Sequence, residues 1–176
     1  MVYPTETFYA IGGNALNREL GQRLTKIKNR QLDKPFPTVV GDLHSLDKLL
    51  AHWPENAREL AKKYWPGSLT MIFPGLETLP DTITGADNSI AVRWSPHQLI
   101  NDLAKILHLP LISTSANLSD RPPVRKASKI AAEIIAATDL LIIADNDDDP
   151  NPQPSTIIDV RVTPPLLLRP GAVTIS

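Results

Sequence analysis

Cysteine is absent from all 176 residues, which excludes disulfides, thiolate nucleophiles and cysteine-based zinc sites. No apolar run is long enough to span a bilayer, and the opening MVYPTETFYAIGG has neither the basic start nor the apolar centre of a signal peptide. A cytoplasmic location without a membrane partner is therefore the default expectation. An excess of one charge is also missing: 18 basic and 19 acidic side chains leave a net charge of -1, so no global field draws the chain to nucleic acid. The common nucleotide and hydrolase signatures fail as well. There is no G-x-x-x-x-G-K-[ST], Gly12 and Gly13 do not make a dinucleotide fingerprint, and Ser115 does not stand in G-x-S-x-G. His44, His52, His97 and His108 lack metal-ligand spacing, and no metal site is expected.

What is present fits one globular domain over residues 1–176, with 42% apolar side chains and length enough for a sizeable core. Leu20, Leu24 and Ile27 recur at helical spacing behind Asn17, a candidate N-cap, so the pattern predicts a helix over 17–28. TVV at 38–40 reads as a strand, followed by short helices after Ser45 and from Pro54. SLTMIF at 68–73 and SIAVRW at 89–94 suit strands, and SPHQLINDLAKILHL suits a helix. PLIST predicts a strand, 126–138 a helix and 139–145 a strand, with STIIDV, PLLL and AVTI as three short strands near the end. Alternation in the middle and strands at the end predict an α/β fold: a twisted, open, mixed sheet with flanking helices.

Two clusters carry the chemistry. Arg18, Arg23, Lys26, Lys28, Arg30 and Lys34 crowd one stretch, a candidate anion site, while Asp145, Asp147, Asp148 and Asp149 read as a solvated loop because the Gly and final Glu of a calcium loop are missing. In LPLISTSANLSD, at 109–120, a strand-like run leads into Ser113, Ser115 and Asn117 at a spacing of two, which places them on one side of an extended chain. Lys28 and Arg30 have the same spacing, so an extended segment would aim both cations at one target. Loops at strand ends are where an open α/β sheet collects ligands, and cations beside directed hydroxyl donors suit phosphates. The plainer reading is that these side chains only build a turn and complement a helix dipole.

YPTETFYAIGGNAL, IKNRQLDKPFP, WPGSLTMIFPG, SIAVRWSPH, STSANLSDRPP, PSTIIDV and LRPGAV follow one another along the chain. In that order they resemble the motifs of the YrdC-type (YrdC/YciO-like) threonylcarbamoyl-AMP synthase family, in its short single-domain form. The resemblance implies a nucleotidyltransferase that joins L-threonine, bicarbonate and ATP, with ATP as substrate and Mg²⁺ bound through the triphosphate. It further implies that the product feeds the tRNA threonylcarbamoyl transferase machinery, with contact to tRNA or double-stranded RNA. By matched position, Lys28, Arg30, Ser115 and Asn117 resemble the family's catalytic, nucleotide-side residues, with Ser89 and Arg169 on the same ligand. Thr5, Arg93, Ser113 and Ser155 resemble the threonine-side residues.

Three departures stand out. Met1 lies three residues before Pro4, where the family has a helix and most of a strand, which would weaken the sheet beside Thr5. Ala10 and Ile11 replace a Gly-Leu pair and would tighten a ligand-facing backbone, and Asp120 replaces a turn glycine. An RNA-binding or regulatory protein without turnover is the alternative, motivated by the basic stretch 18–34. Carbamoyl transfer of the hydrogenase-maturation kind belongs to much longer chains with cysteine-rich fingers, and this chain has no cysteine.

Overall fold

The structure, a computed structural model, describes residues 1–30, 34–119, 121–143 and 153–175. Eight strands form one open sheet: β1 (Val2–Tyr3), β2 (Ala10–Asn14), β3 (Thr38–Val40), β4 (Leu69–Pro74), β5 (Ser89–Trp94), β6 (Leu111–Ser115), β7 (Thr156–Asp159) and β8 (Leu166–Arg169). Their order is β1-β2-β6-β3-β5-β4-β7-β8. The pairs β3·β5 and β4·β7 are parallel and the others antiparallel, so the sheet is mixed as expected.

Alternation along the strands splits the apolar side chains between two cores. Ile11, Val40, Leu69, Met71, Phe73, Ile90, Val92, Ile112 and Ile158 point to one face. There they pack with Leu24 of α1 (Arg18–Lys28), Ala57 and Ala61 of α2 (Glu55–Tyr64) and, further along the chain, Ile134. The intervening residues Tyr3, Ala10, Val39 and Leu111 turn to the opposite face and meet Ile100 and Ala104 of α3 (Gln98–Leu107). That second core spans β1, β2, β6 and β3 only. The same face of β5, β4 and β7 carries Ala91, Arg93, Thr70, Ile72 and Ile157, and among the described residues no helix lies over it, which leaves a concavity beside α3.

Local rules account for the boundaries. Asn17 caps α1 by accepting the Leu20 amide at 3.0 Å, and Asn29 closes it in the left-handed conformation (φ 50°, ψ 47°). A Cβ at Gly12 would lie 1.7 Å from the Ile112 carbonyl oxygen, so the β2–β6 approach requires glycine there. Ala10 is buried under α3 rather than facing a ligand, which corrects the expectation for its added methyl. β1 pairs with β2 over two residues, and the N-terminal amine donates to the Gly12 carbonyl at 2.9 Å.

Three expected elements differ. The helix expected over 126–138 is a single 3-10 turn at Ala127–Lys129 followed by α4 (Ala132–Ala136), because Ile130 and Ile134 alone of this stretch are buried and no side chain caps either piece. From 139 to 143 there is one bridge, Val2 to Leu141, since β1 offers just two residues to pair with. AVTI is not a strand: the Thr156 hydroxyl donates to the Val173 carbonyl at 2.6 Å and accepts its amide at 3.0 Å, so a side chain takes the place of a ladder. The acidic run 145–149 and Asp120 lie outside the described residues. No helix among the described residues is long and apolar enough to cross a membrane.

Candidate functional site

The uncovered part of the concave face is a cavity of about 510 Å³, within the usual range for a small-molecule site. Its floor is Thr70 and Ile72 of β4, Ala91 and Arg93 of β5, and Ser113 and Ser115 of β6; its walls come from Thr7 and Phe8, from Arg30 and Pro35, and from Ser155 and Arg169. Six of the ten residues singled out in the sequence therefore converge: Arg30, Arg93, Ser113, Ser115, Ser155 and Arg169. Ile157 stands opposite Arg169 in the β7·β8 ladder, and facing residues share a side, which brings Arg169 over the cavity from the edge strand.

The other four lie around the cavity without lining it. Lys28 and Arg30 do not run parallel as an extended segment would make them. Lys28 ends α1 and Asn29 is left-handed, so the two cations diverge. The Lys28 ammonium turns inward and donates to the carbonyls of Ser115 and, at 2.7 Å, Asn117. Burial, then the Arg30 charge, lower its pKa to about 8. Arg30 donates to the carbonyls of Lys34 at 2.9 Å and Pro35 at 3.1 Å and stacks over the Phe36 ring at 4.9 Å. The shared parity of Ser113, Ser115 and Asn117 holds for the serines and breaks where β6 ends. Asn117 folds back, its amide donating to the carbonyls of Leu118 at 3.0 Å and Arg121, while its buried oxygen has no partner. Thr5 donates to the Phe8 carbonyl at 2.6 Å and accepts the amides of Thr7 and Phe8, fastening the turn that delivers Thr7 and Phe8. Ser89 begins β5 on the same face as Ala91 and Arg93, with its amide on the Asp87 carboxylate at 3.2 Å.

Glu6, Ser95 and Thr70 were missed in the sequence. The Glu6 carboxylate receives Arg93 on one oxygen and the fully buried Ser95 hydroxyl, at 3.0 Å, on the other. Burial pushes its pKa up, but the Arg93 charge and these hydrogen bonds outweigh that and hold it below the usual glutamate value. Glu6 is the only charged side chain in residues 1–17, a signal that could have marked it as the partner of a distant cation. The Thr70 hydroxyl lies 2.9 Å from that of Ser155, whose carbonyl accepts from Arg169 at 2.7 Å. Burial and the nearby Arg93 charge lower the Arg169 pKa.

Three guanidiniums thus surround one cavity, and Glu6 is the carboxylate paired with Arg93. Its described lining contains no histidine, aspartate, glutamate or cysteine. Such a site can hold anionic groups and align them; it does not supply a nucleophile and base of its own. Among the described residues no cluster of histidines and carboxylates could hold a metal ion.

Several known proteins are similar to this chain. Residues 1–171 match the model of the Sua5/YciO/YrdC family, described as "Telomere recombination". A threonylcarbamoyl-AMP synthase of Pyrococcus abyssi is 34% identical over 176 residues, all of this chain and 51% of the relative. One from Bacillus subtilis is 33% identical over 99% of this chain and 50% of its own length. The chain therefore spans about half the length of both relatives. A crystal structure of P. abyssi Sua5 complexed with L-threonine superposes with a TM-score of 0.86 at 35% identity, covering 97% of this chain and 49% of that one.

Proposed function

The chain belongs to the Sua5/YciO/YrdC family, and from that premise we propose that it acts as an L-threonylcarbamoyladenylate synthase. The amine of L-threonine and bicarbonate give the carbamate with loss of water, and the carbamate oxygen attacks the α-phosphorus of ATP; the bond to the β-phosphate breaks and pyrophosphate leaves. The observation that carries this reading is the convergence of Arg30, Arg93 and Arg169 on one hydroxyl-lined cavity, since joining two anions demands neutralisation and alignment above all.

In this assignment Arg93 meets the threonine carboxylate, with Ser113 and Ser155 beside it, while Arg30, Ser115 and Arg169 face the nucleotide. Lys28 acts through the 115–117 loop that it pins and Asn117 through its bonds to the Leu118 and Arg121 carbonyls, and Thr5 and Ser89 hold the segments on either side. Mg²⁺ would arrive on the triphosphate, held mainly through the phosphate oxygens; no step here is routed through it.

The adenylate would pass to a tRNA threonylcarbamoyl transferase, and contact with tRNA follows if transfer is direct. Binding RNA without turnover is the weaker alternative. Two cations of the basic stretch are already engaged, Arg18 with Asp81 at 3.7 Å and Arg23 with Asp139 at 3.2 Å. The deciding measurement is ATP-dependent pyrophosphate release. It should require both threonine and bicarbonate, and Lys28→Ala should lower it by about a hundredfold or more. Release that ignores threonine sinks the reaction; an unaffected Lys28→Ala sinks the site assignment. RNA binding that falls steeply with salt, in a protein that binds neither ATP nor threonine, would favour the alternative.

A further inference from the structure

The Glu6–Arg93 pair has an asymmetry that bears on substrate recognition. Glu6 sits in the turn between β1 and β2, and its two oxygens are divided between partners. One takes Nη1 of Arg93, and the other takes the Ser95 hydroxyl, which also accepts the His97 amide at 3.2 Å. Ser95 is fully buried, so the carboxylate is anchored independently of the arginine. Arg93 is gripped through Nη1, its side chain 12% exposed, and among the described residues no other acceptor binds it. The remaining N–H groups of the fork belong to a residue that lines the cavity. Arg169 stands near enough for the Arg93 charge to act on it, so without a counter-ion the two guanidiniums would push apart.

We propose that Glu6 is a positioning residue for substrate selection: held by Ser95, it fixes Arg93 so that the free edge of its guanidinium meets the carboxylate of the amino-acid substrate. This rests on the threonine reading above. The opposite role, a carboxylate that competes with substrate for Arg93, predicts the opposite sign on removal. Division of the Glu6 oxygens between Ser95 and a single arginine nitrogen favours positioning, because a ligand can use the rest of the fork without displacing Glu6.

The test is calorimetric binding of L-threonine to wild type, Glu6→Gln, Glu6→Asp and Ser95→Ala, with melting temperatures and ¹⁵N spectra of the arginine side chains alongside. Glu6→Gln should bind threonine about tenfold more weakly with ATP affinity unchanged, Glu6→Asp should recover part of the loss, and Ser95→Ala should show a smaller weakening. In turnover the KM for threonine should rise while kcat at saturation holds. The hindered guanidinium signal of Arg93 should sharpen to free rotation in Glu6→Gln. Equal or tighter threonine binding by a folded Glu6→Gln overturns the proposal. Should that variant not fold, unchanged binding by Ser95→Ala overturns it instead. A wild type that does not bind threonine brings down the threonine reading and this proposal together, a result distinct from a wild type that binds and a variant that matches it.

Discussion

The concave face of the sheet has two halves made by neighbouring strands with the same alternation, yet they end in different chemistry. Over β1, β2, β6 and β3 the inward residues Tyr3, Ala10, Leu111 and Val39 are apolar and α3 covers them. Over β5, β4 and β7 the corresponding positions hold Arg93, Thr70 and Ile157, and among the described residues no helix covers them. Strand β6 crosses the boundary: Leu111 lies under the helix, and two and four residues later Ser113 and Ser115 are in the cavity. The lesson is that the covering helix decides what a strand position is for. Burial under α3 penalises unpaired polar groups, and the Tyr3 hydroxyl there donates to the Ile112 carbonyl, while the open half carries guanidiniums bonded to Glu6 and to backbone carbonyls.

The comparison can be broken most severely from the covered half. Ile100→Ala empties a fully buried position of α3 and should cost about 2–5 kcal/mol of stability, measured by denaturant unfolding. Threonine and ATP affinities of the folded fraction should stay near wild type. If ligand affinity falls with stability, the two halves are not separable.

From the open half, titration of Lys28 gives a signed expectation. Its pKa is lowered to about 8 from 10.5 by burial and then by Arg30. Between those values the unfolded chain keeps a proton that the folded chain has lost, so this group makes stability rise with pH across that window. The positive charge that Lys28 places on the carbonyls of Ser115 and Asn117 is lost over the same range. ATP binding should therefore weaken severalfold as pH rises through about 8, while thermal stability does not drop on this group's account. Lys28→Arg, which stays charged, should flatten the binding profile. A wild-type ATP affinity constant from pH 7 to 9 would contradict this.

Smaller effects follow. Thr70→Val removes the hydroxyl 2.9 Å from Ser155 and should cost about 1 kcal/mol, with threonine affinity reduced through the Ser155–Arg169 wall. Smallest of all, Ile106→Ser changes a side chain 75% exposed on the outer side of α3 and should shift stability by no more than about 0.5 kcal/mol. The contrast between Ile100 and Ile106, six residues apart on one helix, tests whether α3 matters only through the face that it lays on the sheet.

Elements with dense local signals were legible in the sequence. SIAVRW and SLTMIF are strands because alternate β-branched and large apolar residues can fill one face while the others stay out of it. α1 and α3 carry full apolar stripes, and both follow the expected spans to within a few residues. What failed depended on partners distant in the chain. Residues 139–143 have strand-like composition but meet a two-residue strand, and within 172–175 Val173 gives its backbone amide and carbonyl to the Thr156 side chain. In the site, spacing of two found Ser113 and Ser115 because that stretch really is extended. The same rule misdirected Lys28 and Arg30, because Asn29 takes a left-handed conformation that spacing cannot reveal. Glu6 escaped because its meaning lies in Arg93, 87 residues away.

That left-handed Asn29 makes the end of α1 a ruler. Adjacent helical positions differ by about 100° in direction, so the length of α1 dictates which cation turns inward to pin the 115–117 loop and which turns outward to the cavity. A residue inserted or deleted within α1 would leave every motif intact to the eye. It would also move the ammonium of Lys28 off the carbonyls of Ser115 and Asn117 and carry Arg30 off Phe36. Substitutions on the exposed surface of that helix leave these contacts in place, but its count of residues sets the geometry of the candidate site.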